Sequence, residues 1–541
     1  MRNRVVFTAV LSILALALFV PAWAQEPAAQ EPVPEEPEIV LPEVVLEIED
    51  LSVEEIAAGI PEQEEPLILL EEMPLPEPED IRIEEPVAEL TLPQAGGVLP
   101  ERTKEKNLTF EGVLGAGTRN HLMSSFSLYH YEKQPEARLK FSHDVTDGFS
   151  EMDIGTGYSR REDLLSGSLG VSKNRTKAEV EGAFDDRERG LQGNGNYHSK
   201  MDRLIEGNAN LEYEAGDRFV LRGEGGVSQT SRILTTSDPS PAGADTFREY
   251  LVSSGLEGVY SFDKGFIGLA PRYSYRSDLD KLNRTEVLGL FGTELGERSV
   301  LEGEAGWFWS DSAGHLFPFS LTLSAYPTEL FFLNLSAGYG IFEYNLWDIA
   351  ENSPLAYTAE GLEDDRGWFF DFNSHITVSQ GWVLYGGLAY TAHEKMVTAA
   401  ASPDNTTGLF AAEQAGIDQL TAEAGIRWNR SIGFSSFLSW KTELLEIPEH
   451  YPVNSLNLEI NWIEEKGRFG GSVYSVYYTG INDSNQAPVF DVHGFYRITD
   501  TIRLGAELDD LLYPLLEEPR YDWYPYMDEG LKFTLKTYFT F

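Results

Sequence analysis

The chain has 541 residues, no cysteine, and a formal net charge of -47. Disulfides and thiolate metal sites are therefore excluded. Nucleic-acid binding, which needs a basic footprint, is excluded by the sign of the charge. The 42% apolar content is ordinary, and after Gln25 no run reaches the length of a membrane-spanning helix.

Taken in chain order, the sequence opens on Arg2 and Arg4, followed by an apolar stretch from Val5 to Val20 and by Ala22-Trp23-Ala24. A positive start, a short apolar run and an A-x-A site predict a secretory signal over 1–24, cleaved so that the mature chain starts at Gln25. Residues 26–100 contain 22 acidic residues against one basic, 13 of the 28 prolines, and no Phe, Tyr or Trp. Such a stretch cannot bury enough apolar surface to offset chain entropy, so 25–106 is expected to be a mostly disordered, acidic Pro/Glu-rich periplasmic segment. Within it, Val44, Val45, Leu46 and Ile48 belong to a β-prone apolar run. Either these residues add a strand to the sheet edge of a periplasmic protein partner, or they are incidental to a tether.

From Asn107 onward aromatics and glycine are frequent and proline is sparse, which marks the start of the folded region, 107–541. Its last segment is the clearest. Leu531, Phe533, Leu535, Phe539 and Phe541 fall on one face of a strand, and Lys532, Thr534, Lys536 and Thr540 on the other. The same alternation recurs in Phe319–Ala325 against Ser320, Thr322 and Ser324, and in Phe331–Ile341 against Asn334 and Ser336. Leu456–Trp462 alternates with Asn457, Glu459 and Asn461. More weakly, Ile205–Tyr213 alternates with Glu206, Asn208, Asn210 and Glu212. Charged and amide groups at every second place are costly in a dry core but natural in a wet lumen. The fold expected is all-β: a closed antiparallel transmembrane β-barrel of about 22–24 strands.

Connections support this. Tight turns are predicted at 214–217, 262–265, 295–297, 326–329, 378–381, 428–431, 464–467 and 498–501, where Gly, Pro, Asn and Asp cluster. Between them lie longer loops near 231–246, 275–284, 310–315, 342–365, 392–414, 444–452, 480–486 and 510–528. Short periplasmic turns alternating with longer extracellular loops are the asymmetry of outer-membrane barrels, and an even strand number places both termini in the periplasm.

The C-terminal 45 residues or so resemble the end of TonB-dependent outer-membrane receptors. Thr501-Ile-Arg-Leu-Gly-Ala-Glu-Leu-Asp-Asp-Leu-Leu512 is similar to that family's penultimate strand, and Tyr524-Pro-Tyr-Met-Asp-Glu-Gly530 to the lead-in of its final strand. The resemblance implies that Phe539 and Phe541 form the signal read by the barrel-assembly machinery. Asp-Glu-Gly stands where the family usually has Pro-Gly-Arg. The family also carries a plug domain before the barrel, and residues 26–106 are too short, acidic and proline-rich to be one. The resemblance is therefore to a plugless relative, with outer-membrane lipid as its surroundings.

The nine histidines form no metal-binding spacing, and no nucleophile elbow or phosphate loop is present. Asp404-Asn-Thr-Thr and Asp483-Ser-Asn485 read as turns rather than calcium loops. No catalytic, cofactor or metal site is expected, so the chain is read as a non-enzyme. The expected function is passage or uptake of solutes across the outer membrane. Gating would come from loops, the N-terminal segment or a periplasmic partner. The alternative is an adhesion or structural barrel whose loops 342–365 and 392–414 bind a partner, through residues such as Phe342, Tyr344, Trp347 and Tyr357; the same residues fit an aromatic girdle equally well.

Overall fold

In the computed structural model the described residues are 108–541, apart from 131–133, 148–158, 237–243, 278–280, 359–360, 380, 431–432, 448–449, 482–483 and 517–519. The expectations for residues 1–106 lie outside the described residues.

Long strands with period-2 alternation dominate, because each has one apolar face to bury and one polar face to wet. They are β1 (Leu108–Gly117), β2 (Leu122–His130), β3 (Glu136–Asp147), β4 (Ser159–Lys173), β5 (Thr176–Gly190), β6 (Tyr197–Glu214), β7 (Phe219–Thr236) and β8 (Ala244–Phe262). Then follow β9 (Gly265–Ser277), β10 (Lys281–Glu294), β11 (Ser299–Ser310), β12 (Phe319–Thr328), β13 (Phe331–Phe342), β14 (Asp365–Ser379) and β15 (Trp382–Ala399). The series ends with β16 (Phe410–Arg430), β17 (Phe434–Glu443), β18 (Asn454–Ile463), β19 (Phe469–Ile481), β20 (Val489–Arg497), β21 (Ile502–Asp509) and β22 (Lys532–Thr540). Each pairs antiparallel with the next, and β1 pairs with β22 from Glu111↔Thr540 to Gly117↔Thr534. The sheet is thus a closed ring of 22 strands, within the range the sequence predicts.

The outward face is apolar. Leu535, Leu165, Val180, Ile205, Leu321 and Leu456 are all exposed, and Leu323, Leu458, Ile460 and Phe539 at alternate positions are half-buried. The upper edge of this band is visible in the register. Phe141, Leu165, Phe184 and Ile205 lie in one cross-strand row, and the next row is His143, Asp163, Asp186 and Arg203. There Asp163 lies 2.5 Å from His143 Nδ1 and Asp186 2.9 Å from Arg203.

The two ends differ. Odd-numbered strands lead into connections of up to 22 residues, whereas even-numbered strands lead into turns of two to five. All eight predicted tight turns fall at the second end, and β1 begins and β22 finishes there. Three expected loops are shorter than the sequence suggests: of 275–284 only 278–280 lies between strands. Residues 231–236 and 244–246 are strand, as are 392–399 and 410–414, because the ladder continues past the lipid band into polar sequence.

Candidate functional site

The inward faces of the strands enclose a wet lumen. Ser320 donates to Glu304 at 3.1 Å, Asn334 to Ser324 at 2.9 Å, and the Thr322 and Ser336 hydroxyls meet at 3.0 Å. Such cross-strand bonds satisfy polar groups that a dry core would leave costly. On the β3–β9 side, Arg222 donates to Glu212 at 3.0 Å and to Glu257 at 2.7 Å. These residues line a recess of about 570 Å³ together with Glu136, Arg138, Lys177 and Arg272. Glu179 and Glu181 sit on the same inward face. On the opposite side, the Tyr385, Phe495 and Tyr538 rings lie flat over Gly425, Gly470 and Gly505, where a Cβ would collide with them. Tyr538 is also covered by Arg503, 4.1 Å from its ring centre.

At the loop end the lumen is roofed. Contacts between strands far apart in the ring can form only across its interior, and several do. The Asn196 N–H, between β5 and β6, donates to Thr406 O, between β15 and β16, at 2.9 Å. This crossing needs Gly195, since a Cβ there would lie 2.4 Å from the Gly408 nitrogen. Gln192 exchanges two 3.0 Å hydrogen bonds with the backbone of Met527, between β21 and β22. The Tyr526 hydroxyl donates to Gly408 O. Residues Ala356–Tyr357 form a parallel pair with Phe410–Ala411.

These segments bury a core of their own. Leu191, Leu409 and Phe410 are 0% exposed, and they pack with Leu234, Ile349, Leu355, Leu362 and Tyr526. The 343–364 connection is the largest contributor. It starts α1 (Leu346–Asn352) with a capping box in which Asn345 accepts from Asp348 N–H and Asp348 accepts from Asn345 N–H. Burial pushes the Asp348 carboxyl up, against the opposing effect of these hydrogen bonds. Between β21 and β22, burial would raise Glu529, but Lys532 and Arg160 outweigh it and hold the carboxyl low.

Wall charges clamp this connection. Arg284 donates from Nε and Nη2 to the single oxygen Asp364 Oδ1, at 2.8 and 2.5 Å, and reaches Glu343 at 2.9 Å. Arg276 donates to Tyr344 O at 2.5 Å and also to Leu362 O. Lys200 donates to Pro354 O at 2.7 Å, and Glu249 accepts from Leu346 N–H at 3.1 Å. Asp365, 0% exposed, accepts from the Lys395 N–H and pairs with His393 at 2.6 Å.

Several sequence expectations meet this geometry differently. Tyr344 and Tyr357 are neither free loop contacts nor a lipid-facing girdle, because they pack against the roof core. Trp347 lies under Arg187 and Phe342 against His393. Asp404 is the turn it was read as, accepting from Thr406 N–H at 2.8 Å, and Asp483 lies outside the described residues. Phe541 closes the seam: its N–H donates to Phe110 O at 2.9 Å and its carbonyl accepts from Phe110 N–H at 3.1 Å. The Phe539 ring covers Gly112. Sequence reasoning missed that His493, Glu507 and Asp509 meet: their ligand atoms lie within 4.8 Å of one another. Lys532 stands 3.5 Å from Asp509 and Lys536 pairs with Glu507, so the cluster is an ion-pair network on the inner wall. The signal that could have found it is the inward parity these residues share on adjacent strands.

No protein-family model and no curated protein match the sequence. Solved structures do. A mutant of the ferric enterobactin receptor of Pseudomonas aeruginosa is 13% identical, with a TM-score of 0.63 over 80% of each chain. The copper transporter OprC is 12% identical, with a TM-score of 0.63 over 82% of this chain and 81% of that one. An iron transporter of Neisseria meningitidis, FrpB, is 11% identical, with a TM-score of 0.61 over 81% and 82%. The fold and its wet lumen define a transmembrane β-barrel of the outer-membrane type. In particular, its 22-strand ring has the fold of these solved structures.

Proposed function

We propose that this barrel is a gated passage for solute uptake across the outer membrane. The roof is the closure on the outer side. The observation that carries the reading is the pairing of a polar, water-lined lumen with loops that meet across its mouth. A barrel of 22 strands encloses more space than side chains can fill, and turns of two to five residues cannot cover the opposite end.

That second end is where residues 25–106 join β1. In this reading they form the periplasmic segment, and they either enter the lumen or recruit a periplasmic protein through Val44, Val45, Leu46 and Ile48. Phe539 and Phe541 serve as the assembly signal. The similar solved structures, whose titles name a ferric enterobactin receptor and copper and iron transporters, support uptake as the general role. Burial of Tyr344 and Tyr357 favours passage over the adhesion reading, which needs those side chains free.

Planar-bilayer conductance tests the proposal with three proteins: the full chain, a chain lacking 26–100, and a chain with 345–363 replaced by a short turn. The third is expected to conduct well above the first. Three silent proteins would rule out a passage, and equal conductance from the first two would rule out plugging by the acidic segment.

A further inference from the structure

The inner wall beneath the roof is rich in cations, set beside the wall carboxylates Asp185, Asp202 and Glu249, in a protein of net charge -47. Arg187, Lys200, Arg232, Arg276 and Arg284 stand on the inward faces of β5, β6, β7, β9 and β10 near the loop end. Lys200 and Arg232 are each 1% exposed and share the carboxylate of Asp202, at 2.7 and 2.6 Å. Two buried cations on one carboxylate are costly away from water; burial and then the neighbouring Arg232 push the Lys200 ammonium down to about 7, toward its neutral form. The cost is also visible atom by atom: Nη1 and Nη2 of Arg232 are buried and meet no hydrogen-bond partner among the described residues.

What covers this wall has the opposite character. Residues 343–364 contain six acidic residues and no Lys, Arg or His. Docked, they present anionic or electron-rich oxygens to the wall cations one after another. Asp364 and Glu343 go to Arg284, the Tyr344 and Leu362 carbonyls to Arg276, the Pro354 carbonyl to Lys200, and Glu351 lies 3.9 Å from Arg187. Among the described residues of this wall, only the Arg232 guanidinium tip is left without an oxygen.

We propose that this wall is a binding site for a multivalent oxyanion, a compact molecule with several carboxylate or phosphate groups, and that 343–364 occupies it as an internal mimic. The inference rests on reading the roof as a closure. A ligand with several anionic groups competes for the same cations, gains the Arg232 donors that the loop leaves unmet, and releases the loop as it binds. A bidentate guanidinium–oxyanion contact is the strong, geometrically selective form of such recognition.

Calorimetry on the full chain in detergent micelles, with citrate and with inorganic pyrophosphate as probes, tests it. At least one probe is expected to bind, more weakly as salt is raised. Arg232→Gln should weaken binding by about tenfold, since a buried charged donor is lost, while Arg232→Lys should keep most of it. Asp364→Asn should tighten binding by about threefold or more, because the mimic is weakened without touching the wall. Hydrogen exchange within 346–352 should speed up when the probe is present. A preference for citrate or for pyrophosphate identifies the carboxylate or the phosphate class.

Absence of binding by both probes overturns the proposal. So does binding indifferent to Arg232→Gln, weaker binding by Asp364→Asn, or slower exchange in 346–352. The heat-dependent gel shift of a folded barrel establishes that each variant is assembled. Calorimetry does not depend on conduction. A chain that binds as expected but never conducts defeats only the passage reading, and one that conducts without binding defeats only this inference.

Discussion

The two ends of this barrel are built from the same strands and differ in almost every other respect. At the turn end, connections of two to five residues carry exposed ion pairs such as Arg218–Asp263, Arg175–Asp217 and Arg298–Glu329. At the loop end, the chain folds back on itself, buries Leu191, Leu409 and Phe410 completely, and places charged groups such as Asp364 and Arg276 out of reach of water. The contrast shows that the ring itself sets no closure. Closure appears where the connections are long enough to meet, and there a small water-soluble-type core grows on top of a membrane protein.

If that contrast is right, the same kind of substitution has very different effects at the two ends. The largest effect is expected from removing the 343–364 roof segment: replacing 345–363 by a short turn should raise single-channel conductance by about tenfold or more, given the lumen of a ring this size. Next is Arg284→Ala, which leaves Asp364 buried without its partner. It should loosen roof docking by about 3–5 kcal/mol, read as hydrogen exchange in 346–352, with little change in the barrel strands. Phe410→Ala removes a fully buried ring shared by three loops and should cost about 3 kcal/mol by the same measurement. Gly195→Ala forces a methyl group against the Gly408 backbone, and should separate 191–196 from 400–409 at a cost of about 1–3 kcal/mol. Smallest is Asp263→Ala at the turn end, where a pair that is 58% and 87% exposed should contribute about 0.5 kcal/mol or less. A turn-end loss as large as the Arg284→Ala loss would break the comparison.

Much of the ring was legible in the sequence because its determinants are local. Alternation in Leu531–Phe541 assigns inward Lys536 and outward Leu535 with no knowledge of neighbours, and Gly, Asn and Asp mark the turns. The roof was not legible, because its contacts have no period. Asn196 and Thr406 are far apart in sequence, and nothing near either announces the other. Tyr344 and Tyr357 look like loop aromatics until Phe410 and Leu355 are seen beside them. The taller strands were misjudged for a related reason. Above the lipid, rows such as His143–Asp163–Asp186–Arg203 are polar on the outward face as well, so alternation of hydrophobicity disappears while the ladder persists.

Strand heights around the ring are unequal. β16 runs for 21 residues and β8 for 19, whereas β21, β22 and β2 have 8 or 9. At about 3.3 Å per residue, the ladder is shortest beside the junction of the first and last strands. The 510–531 connection therefore springs from two of the shortest strands in the ring, whereas the connections next to β8 and β16 stand on the longest.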